Sequence, residues 1–519
     1  MYITQGLKNA MQMNGSRVAT VDGTRRYTWS ELGSRISKLA GAFKNLGLSE
    51  RGRVAILALN SDCYLQYYYA VPWAGAIMVP LNIRLSPPEL IFMLNDSETE
   101  ILLVDDTFVG MLADFEGKLE SVKEIIHITD QEKPADGTHH FEKILNAADA
   151  IPDAASDSDD VAGLFYTGGT TGLPKGVMLT NHNLVFNNLN TLMMFDYSSD
   201  SVYLHAAPMF HAADICSTGS ITMVQGLHVF MPRFEPEAML KVFEAEKVTH
   251  TLIVPTMINM TVNHPLIRNY DLSHLQKIIY GASPMPEEVI RKAMVEIPHC
   301  TFNQAYGMTE LSPLATILPS KFHTLDGPNS KIKSAGRAIP SIEVKIVDED
   351  GREVPRGVVG EVIVKGDNVM KGYWKRPEET ANAIREGWMH SQDAGYMDED
   401  GFVYISDRLK DMIISGGENI YSVEIENVIY QHPAVASCAV VGIPDEQWGE
   451  VVHAIVVLKE GSNAEEKEII DFCTGKLGGF KIPRNVEFRG EPLPLSGAGK
   501  ILKNKLREPF WKGREKRIH

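Results

Sequence analysis

Three stretches of this chain carry hydroxyl, glycine and charged residues at spacings that suit phosphate chemistry. The first, "YTGGTTGLPKG" (166–176), places glycines and threonines ahead of a single lysine. Glycine lets a backbone adopt φ > 0 and come close to a ligand, and threonine adds a hydroxyl donor. Such a loop suits an oxygen-rich ligand, with polyphosphate the leading candidate. Lys175 is followed by Gly176 instead of Ser or Thr, so the loop is not a Walker A motif. In isolation it also reads as a glycine-rich surface turn.

The second stretch, "NQAYGMTEL" (303–311), joins an aromatic, a glycine and adjacent hydroxyl and carboxylate groups. Together these could stack a base, touch a phosphate and hold Mg²⁺, which prefers oxygen ligands. The plainer alternative is a helix start with Glu310 in its first turn. In the third group, "GWMHSQDAGYMDEDGFVYISDR" and "PLSGAGKILKNKL", Asp393 could accept from a ribose diol and Arg408 could act as a fixed cation. Lys500 lies in a Ser-Gly-Ala-Gly context suited to reaching into a site.

The elements that must position these residues alternate between short apolar runs and amphipathic stretches, an α/β signature. "RVAILALN" (53–60), "AGLFYTGG" (162–169), "THTLIVPT" (249–256) and "QKIIYGAS" (276–283) read as buried strands ending in turn residues. "PEEVIRKAMVEI" (286–297) reads as a helix with Glu287 and Glu288 at its positive end. Beyond about residue 340, alternating runs joined by DG and KG turns predict an antiparallel portion. "VASCAVVGI", "HAIVVLKE" and "EEKEIIDFC" read as strand, strand and helix. A boundary near Lys410 leaves an N-terminal unit of 1–409 and a C-terminal unit of 410–519, the latter long enough to fold alone.

Composition narrows the function classes. With 519 residues and 44% hydrophobic content, the chain can bury sizeable cores. A net charge of −17 argues against a broad nucleic-acid surface. Five scattered cysteines with no CxxC pair form neither a disulfide framework nor a zinc site. With no secretory leader pattern and no apolar run long enough to span a bilayer, the expected location is cytoplasmic. Oligomeric state stays open, a homodimer included.

Taken in order, "YTGGTTGLPKG", "YGASPMP", "QAYGMTE", "SAGRAIP", "KGYWKRPEET", "SDRLKDMIISGGENIYSVEIE" and "PLSGAGKILK" resemble the signature of the adenylate-forming acyl-CoA synthetases along nearly the whole chain. The resemblance implies a large N-terminal domain with two doubly wound sheets and a distorted β-barrel, plus a small mobile α+β C-terminal domain. It implies ATP, Mg²⁺ and coenzyme A as cofactors. A carboxylate would attack the α-phosphate to give an acyl-adenylate and pyrophosphate, and the CoA thiol would then displace AMP.

By the same resemblance, Thr167, Gly168, Gly169, Thr170, Thr171, Gly172 and Lys175 would hold the β- and γ-phosphates. Tyr306 would lie against adenine, Thr309 would touch the α-phosphate, and Glu310, with Thr167, would hold Mg²⁺. Gly281, Ala282, Ser283, Gln304, Ala305, Gly307 and Ile405 would complete the nucleotide site. Asp393 and Arg408 would fix the ribose, and Lys500 would bridge carboxylate and α-phosphate. Lys410 would be the hinge of a rotating C-terminal domain, bringing Gly416 and Gly417 to line a pantetheine tunnel with Trp448 nearby. Two departures stand out. The usual Thr-Gly-Asp is Ser391-Gln392-Asp393, which puts the ribose-loop shape in doubt, and a common serine of the phosphate loop is Gly168.

The acyl pocket would lie among His211, Met257, Gly281, Gly307, Met308 and Pro313, mostly small or apolar. Where amino-acid-activating members keep an aspartate, this chain has His211, with Asp214 three residues on. That disfavours an amino acid, and no carrier domain follows Lys500, which favours free CoA as acceptor. The expected acid is a medium- or long-chain fatty acid. Alternatives are an aromatic acid of the cinnamate or benzoate kind, a small thioether or branched acid, and, from another class, a luciferase-like oxygenase.

Overall fold

The computed structural model describes residues 1–519 except 168–173, 326, 328–329, 409–410, 417, 497–498 and 513–519. The phosphate-loop expectations on Gly168, Gly169, Thr170, Thr171 and Gly172, the hinge Lys410, and Gly417 therefore lie outside the described residues.

Two large sheets organise the N-terminal part. The eight-stranded sheet runs parallel through Ile77–Pro80, Arg53–Leu57, Thr99–Asp105 and Glu124–Ile128, with Lys175–Thr180 antiparallel to Val161–Thr167 near one edge. The nine-stranded sheet runs parallel through Leu227–Phe230, Val202–His205, His250–Ile253, Lys277–Gly281 and Thr301–Tyr306. Both are covered on two faces. Val54 and Ile56 join a core built around the helices Trp29–Asn45 and Asp62–Trp73. Their neighbours Ala55 and Leu57 point the other way, onto the helix Pro87–Asp96. Strands buried on both faces read as near-continuous apolar runs, which is why "RVAIL" and "KIIYG" were legible as strands.

A third unit, in the place of the distorted barrel, pairs Glu343–Val347, Gly360–Lys365, Trp388–Met397 and Val403–Arg408 antiparallel. A bridge between Gly336 and Val403 ties it to the nine-stranded sheet region. After Arg408 a separate five-stranded sheet begins, centred on the long hairpin of Val435–Asp445 and Gly449–Leu458. Its faces carry the helices Ser422–Ile429, Glu466–Cys473 and Lys503–Trp511. Among the described residues, no helix is long and apolar enough to cross a membrane.

Candidate active site

Three of the residues singled out in the sequence stand at the carboxyl ends of strands, where open α/β sheets bind ligands. Thr167 ends Val161–Thr167, Gly281 ends Lys277–Gly281, and Tyr306 ends Thr301–Tyr306. Gly281 pairs with Ala305, so tightly that a Cβ on Gly281 would lie 2.1 Å from the Ala305 carbonyl oxygen. At Gly307 a Cβ would lie 1.9 Å from the Pro313 carbonyl oxygen. Both glycines are therefore required by close backbone approach. Ala282 takes φ +67, turning the chain sharply away from the strand end.

Asp393 is the centre of one polar group. Tyr306 donates its hydroxyl to Asp393 Oδ2 at 2.7 Å, and Arg408 Nε pairs with Oδ1 at 2.7 Å. Strand register makes this possible, because Asp393 stands directly opposite Arg408. The charge of Asp393 holds the Arg408 guanidinium above its ordinary pKa despite burial, and burial beside Asp393 pushes the Tyr306 hydroxyl up, so it stays a donor. A carboxylate accepts about four hydrogen bonds, so two more directions remain for a diol. At the Ser-Gln-Asp departure Gln392 adopts φ +59, the left-handed conformation that glycine takes easily. Glu361 Oε1 accepts from Gln392 N at 3.0 Å, and Ser391 Oγ accepts from Asp393 N at 3.1 Å, which keeps the turn.

Glu310 forms the second group. It sits in the short 3₁₀ turn Thr309–Leu311 and is 6% exposed. Tyr373, from "KGYWKRPEET", donates its hydroxyl to Glu310 Oε1 at 2.9 Å. Lys175 Nζ lies 5.2 Å from the centre of the Tyr373 ring, and Lys175 pairs in register with Thr167. Tyr373 thus links the phosphate-loop lysine to the carboxylate, a role that sequence reasoning missed although the motif was visible. Among the described residues, no cluster of three or more His, Cys, Asp or Glu forms a ready-made metal cage. A single buried carboxylate such as Glu310 instead fits Mg²⁺, which is commonly held by one or two carboxylates plus substrate phosphates.

Gly499, beside Lys500, approaches the segment that follows the strand His250–Ile253. A Cβ on Gly499 would lie 3.0 Å from Val254 Cγ2 and 3.6 Å from Thr256 Oγ1, beside Met257 of the expected acyl pocket. Arg84, in the loop after Ile77–Pro80, donates to the Ser496 carbonyl at 2.8 Å. Gly416 and Trp448 form a group of their own on the C-terminal sheet. Gly416 N donates to the Trp448 carbonyl at 2.8 Å, and a Cβ on Gly416 would lie 2.8 Å from the Trp448 ring. Here glycine is required by its φ of +60 and by that ring.

In the acyl region, His211 caps the helix Ala212–Met223 and its ring lies 4.4 Å from that of Phe210. Met257 is buried, while Met308 and Pro313 are partly buried. Asp214 is not available to a substrate ammonium: it is 1% exposed and accepts from His205 Nδ1 at 2.9 Å and Thr218 Oγ1 at 3.1 Å. His205 in turn meets His228 at 2.9 Å, and His228 meets Thr222 at 3.2 Å. The chain is satisfied if each imidazole donates from Nδ1, Thr222 donating to His228, His228 to His205 and His205 to Asp214. Burial and the neighbouring His205 hold the His228 pKa well below its usual value. Nothing in the periodicity of the sequence marks this network.

Two sheets of parallel strands, with a carboxylate–arginine pair and a buried glutamate near their strand ends, give an arrangement suited to an enzyme that handles a nucleotide. Residues 7–374 match the family described as AMP-binding enzyme, and residues 424–500 match the AMP-binding enzyme C-terminal domain. The chain belongs to this family of adenylate-forming enzymes and is an ATP-dependent acid–thiol ligase that uses coenzyme A. Feruloyl-CoA synthases of Amycolatopsis sp and Streptomyces sp are each 39% identical over 502 residues, covering 96% of this chain and 97% of theirs. The fatty acid–[acyl-carrier-protein] ligase ScoC of Streptomyces coeruleorubidus is 35% identical, covering 94% and 92%. The crystal structure of ATP-bound MatB from Rhodopseudomonas palustris superposes with a TM-score of 0.88 at 30% identity, covering 99% of this chain and all of that one.

Proposed function

We propose that the site activates an apolar monocarboxylic acid, with an aromatic acid of the cinnamate kind as the first candidate. The full-length likeness to feruloyl-CoA synthases carries that choice, and the Phe210–His211 ring pair is compatible with it. The expected medium- or long-chain fatty acid remains a second reading, favoured by the fatty-acid ligase ScoC.

In this reading the Tyr306–Asp393–Arg408 group holds adenine and ribose. Lys175 and the hydroxyl-bearing loop hold the outer phosphates, with Thr309 at the α-phosphate. Mg²⁺ on Glu310 and Thr167 would supply charge neutralisation at the phosphates. Carboxylate and triphosphate repel at contact distance, so Lys500 places its ammonium between the attacking oxygen and the α-phosphate. The new O–P bond forms as the bond to pyrophosphate breaks. The CoA sulfur then attacks the acyl carbon, and AMP leaves with the electron pair. Single preorganised electrostatic donors of this kind contribute about 10²–10³ in rate.

The observation that best supports the reading is the seat of Gly499 against Val254 and Thr256, beside the strand ends that carry Gly281 and Tyr306. A domain boundary at 409/410, with Lys410 as hinge, would let the same lysine withdraw before CoA enters. The test is pyrophosphate and AMP release with MgATP across cinnamic, benzoic, short, medium and long-chain acids, each with and without CoA. Turnover confined to aromatic acids supports the first reading, and turnover confined to fatty acids replaces it with the second. ATP cleavage with no acid dependence refutes both.

A further inference from the structure

We propose that Lys503 is a positioning residue for adenylation, anchoring the Lys500 loop to a buried polar bridge between the two parts of the chain. The inference rests on the reading of Lys500 as the lysine that bridges the reacting anions. Lys503 opens the helix Lys503–Trp511, three positions beyond Lys500. Its side chain is 13% exposed and its Nζ pairs with Glu426 Oε1 at 2.7 Å and donates to Ser422 Oγ at 2.5 Å. Ser422 passes the link on, donating from Oγ at 2.5 Å and from its backbone N at 2.7 Å to Asp407 Oδ2.

Asp407 belongs to the other side of the boundary. It lies in the strand Val403–Arg408 and pairs there with Ala394, next to Asp393. Its second oxygen, Oδ1, accepts from Arg408 N at 2.8 Å, so the bridge ends on the residue that clamps Asp393. The other end of the Lys500 loop is pinned separately, by Arg84 on the Ser496 carbonyl. Within the loop, the Ser496 hydroxyl accepts from Lys500 N at 3.1 Å, and Leu502 N donates to the Pro494 carbonyl at 2.8 Å. Arg84 on Ser496 and Lys503 on Glu426 thus anchor described residues on either side of Lys500, and with the Lys500–Ser496 bond they fix where Lys500 emerges. Lys503 is more than a core cation: Glu426 is already hydrogen-bonded by Val440 N at 2.8 Å, and Lys503 couples that buried carboxylate to an interdomain contact.

The experiment measures both half-reactions of the full-length enzyme with an acid that turns over: acid-dependent ATP–pyrophosphate exchange, and thioester formation from supplied acyl-adenylate and CoA. Lys503→Met is expected to slow exchange about 10- to 100-fold, as misplacement by about 1 Å does. Thioester formation from the supplied adenylate is expected to stay within about 3-fold, because no anion-bridging lysine is needed there. Ser422→Ala keeps the Lys503–Glu426 pair inside the C-terminal core but removes the two hydrogen bonds of the Ser422 hydroxyl, and is expected to slow exchange selectively by about 5- to 100-fold. A purely structural Lys503 would lower both half-reactions in proportion to folded enzyme. Parallel loss in both variants, or no loss in either, overturns the proposal. Lys500→Ala, run alongside, separates the two readings. If it leaves exchange intact, the role of Lys500 is wrong and this inference falls with it. If it abolishes exchange while Lys503→Met and Ser422→Ala slow both steps alike, only this inference is overturned.

Discussion

Replacing Tyr373 by Phe removes one oxygen and nothing else from the centre of the site. The hydroxyl donates to Glu310 Oε1 at 2.9 Å, and burial beside that carboxylate raises the Tyr373 pKa, which keeps the donor protonated. Glu310 is 6% exposed, so water cannot readily take over the lost bond. A hydrogen bond to a charged group contributes about 1.5–3 kcal/mol, which corresponds to about 10- to 150-fold in a rate or affinity. If Glu310 acts on the Mg²⁺-bound triphosphate, kcat/KM for MgATP in pyrophosphate exchange falls by that factor and the Mg²⁺ midpoint rises. The ring remains in place under Lys175, so the cation–π contact at 5.2 Å survives. Thioester formation from supplied acyl-adenylate needs no triphosphate and serves as the internal control, with an expected change below about 2-fold. Exchange within 2-fold of the parent at every Mg²⁺ concentration would refute the assignment of Glu310 as well as that of Tyr373.

Other expectations come from packing and protonation. In Gly281→Ala the new Cβ meets the Ala305 carbonyl at 2.1 Å, so two strand ends must part by about 1 Å, with a loss of about 1–3 kcal/mol and about 10²-fold in adenylation. Parent-like thermal stability and rate would show that the strand ends are not fixed as described. Gln392→Gly relieves a left-handed non-glycine and should stabilise by about 0.5–1 kcal/mol without slowing adenylation, read from Tm and exchange rate; a lower Tm counts against the strained turn. His323 is 3% exposed, accepts from the Tyr280 hydroxyl at 3.0 Å, and burial holds its pKa down to about 4. The unfolded chain protonates near 6.5, so this contribution is fully present above about pH 6.5 and is lost as pH falls towards 4, by about 2–3 kcal/mol at pH 4.5. His323→Gln should flatten that part of a Tm-against-pH series, and an unaltered slope would place the protonation elsewhere.

Much of the architecture was legible because its signals are local. Strands buried on both faces must be continuously apolar, and "RVAIL" and "KIIYG" are. Turns at strand ends need glycine where backbones nearly touch, and Gly281 and Gly307 stand there with carbonyl oxygens about 2 Å from any added Cβ. The Ser391-Gln392-Asp393 departure left the ribose loop in doubt because sequence shows a residue type and not its φ. The structure shows that Gln392 stands in the left-handed region.

The amino-acid sequence by itself determined the class of chemistry: the order of its glycine-rich, carboxylate and lysine motifs marks an adenylate-forming enzyme, since each motif needs only a few adjacent residues to be chemically recognisable. Tertiary structure decided which of those groups meet, and added residues that no motif announced. Tyr373 reaches Glu310 across 63 positions, Asp407 reaches Ser422 across 15, and Lys503 reaches Ser422 across 81. Asp214, three residues from a pocket histidine, is turned inward to His205 and His228. Such partnerships depend on strand register and helix docking, which arise from burial summed over whole faces of the fold, whereas a tyrosine or lysine in its own local context looks the same whether it ends in solvent or on a buried carboxylate.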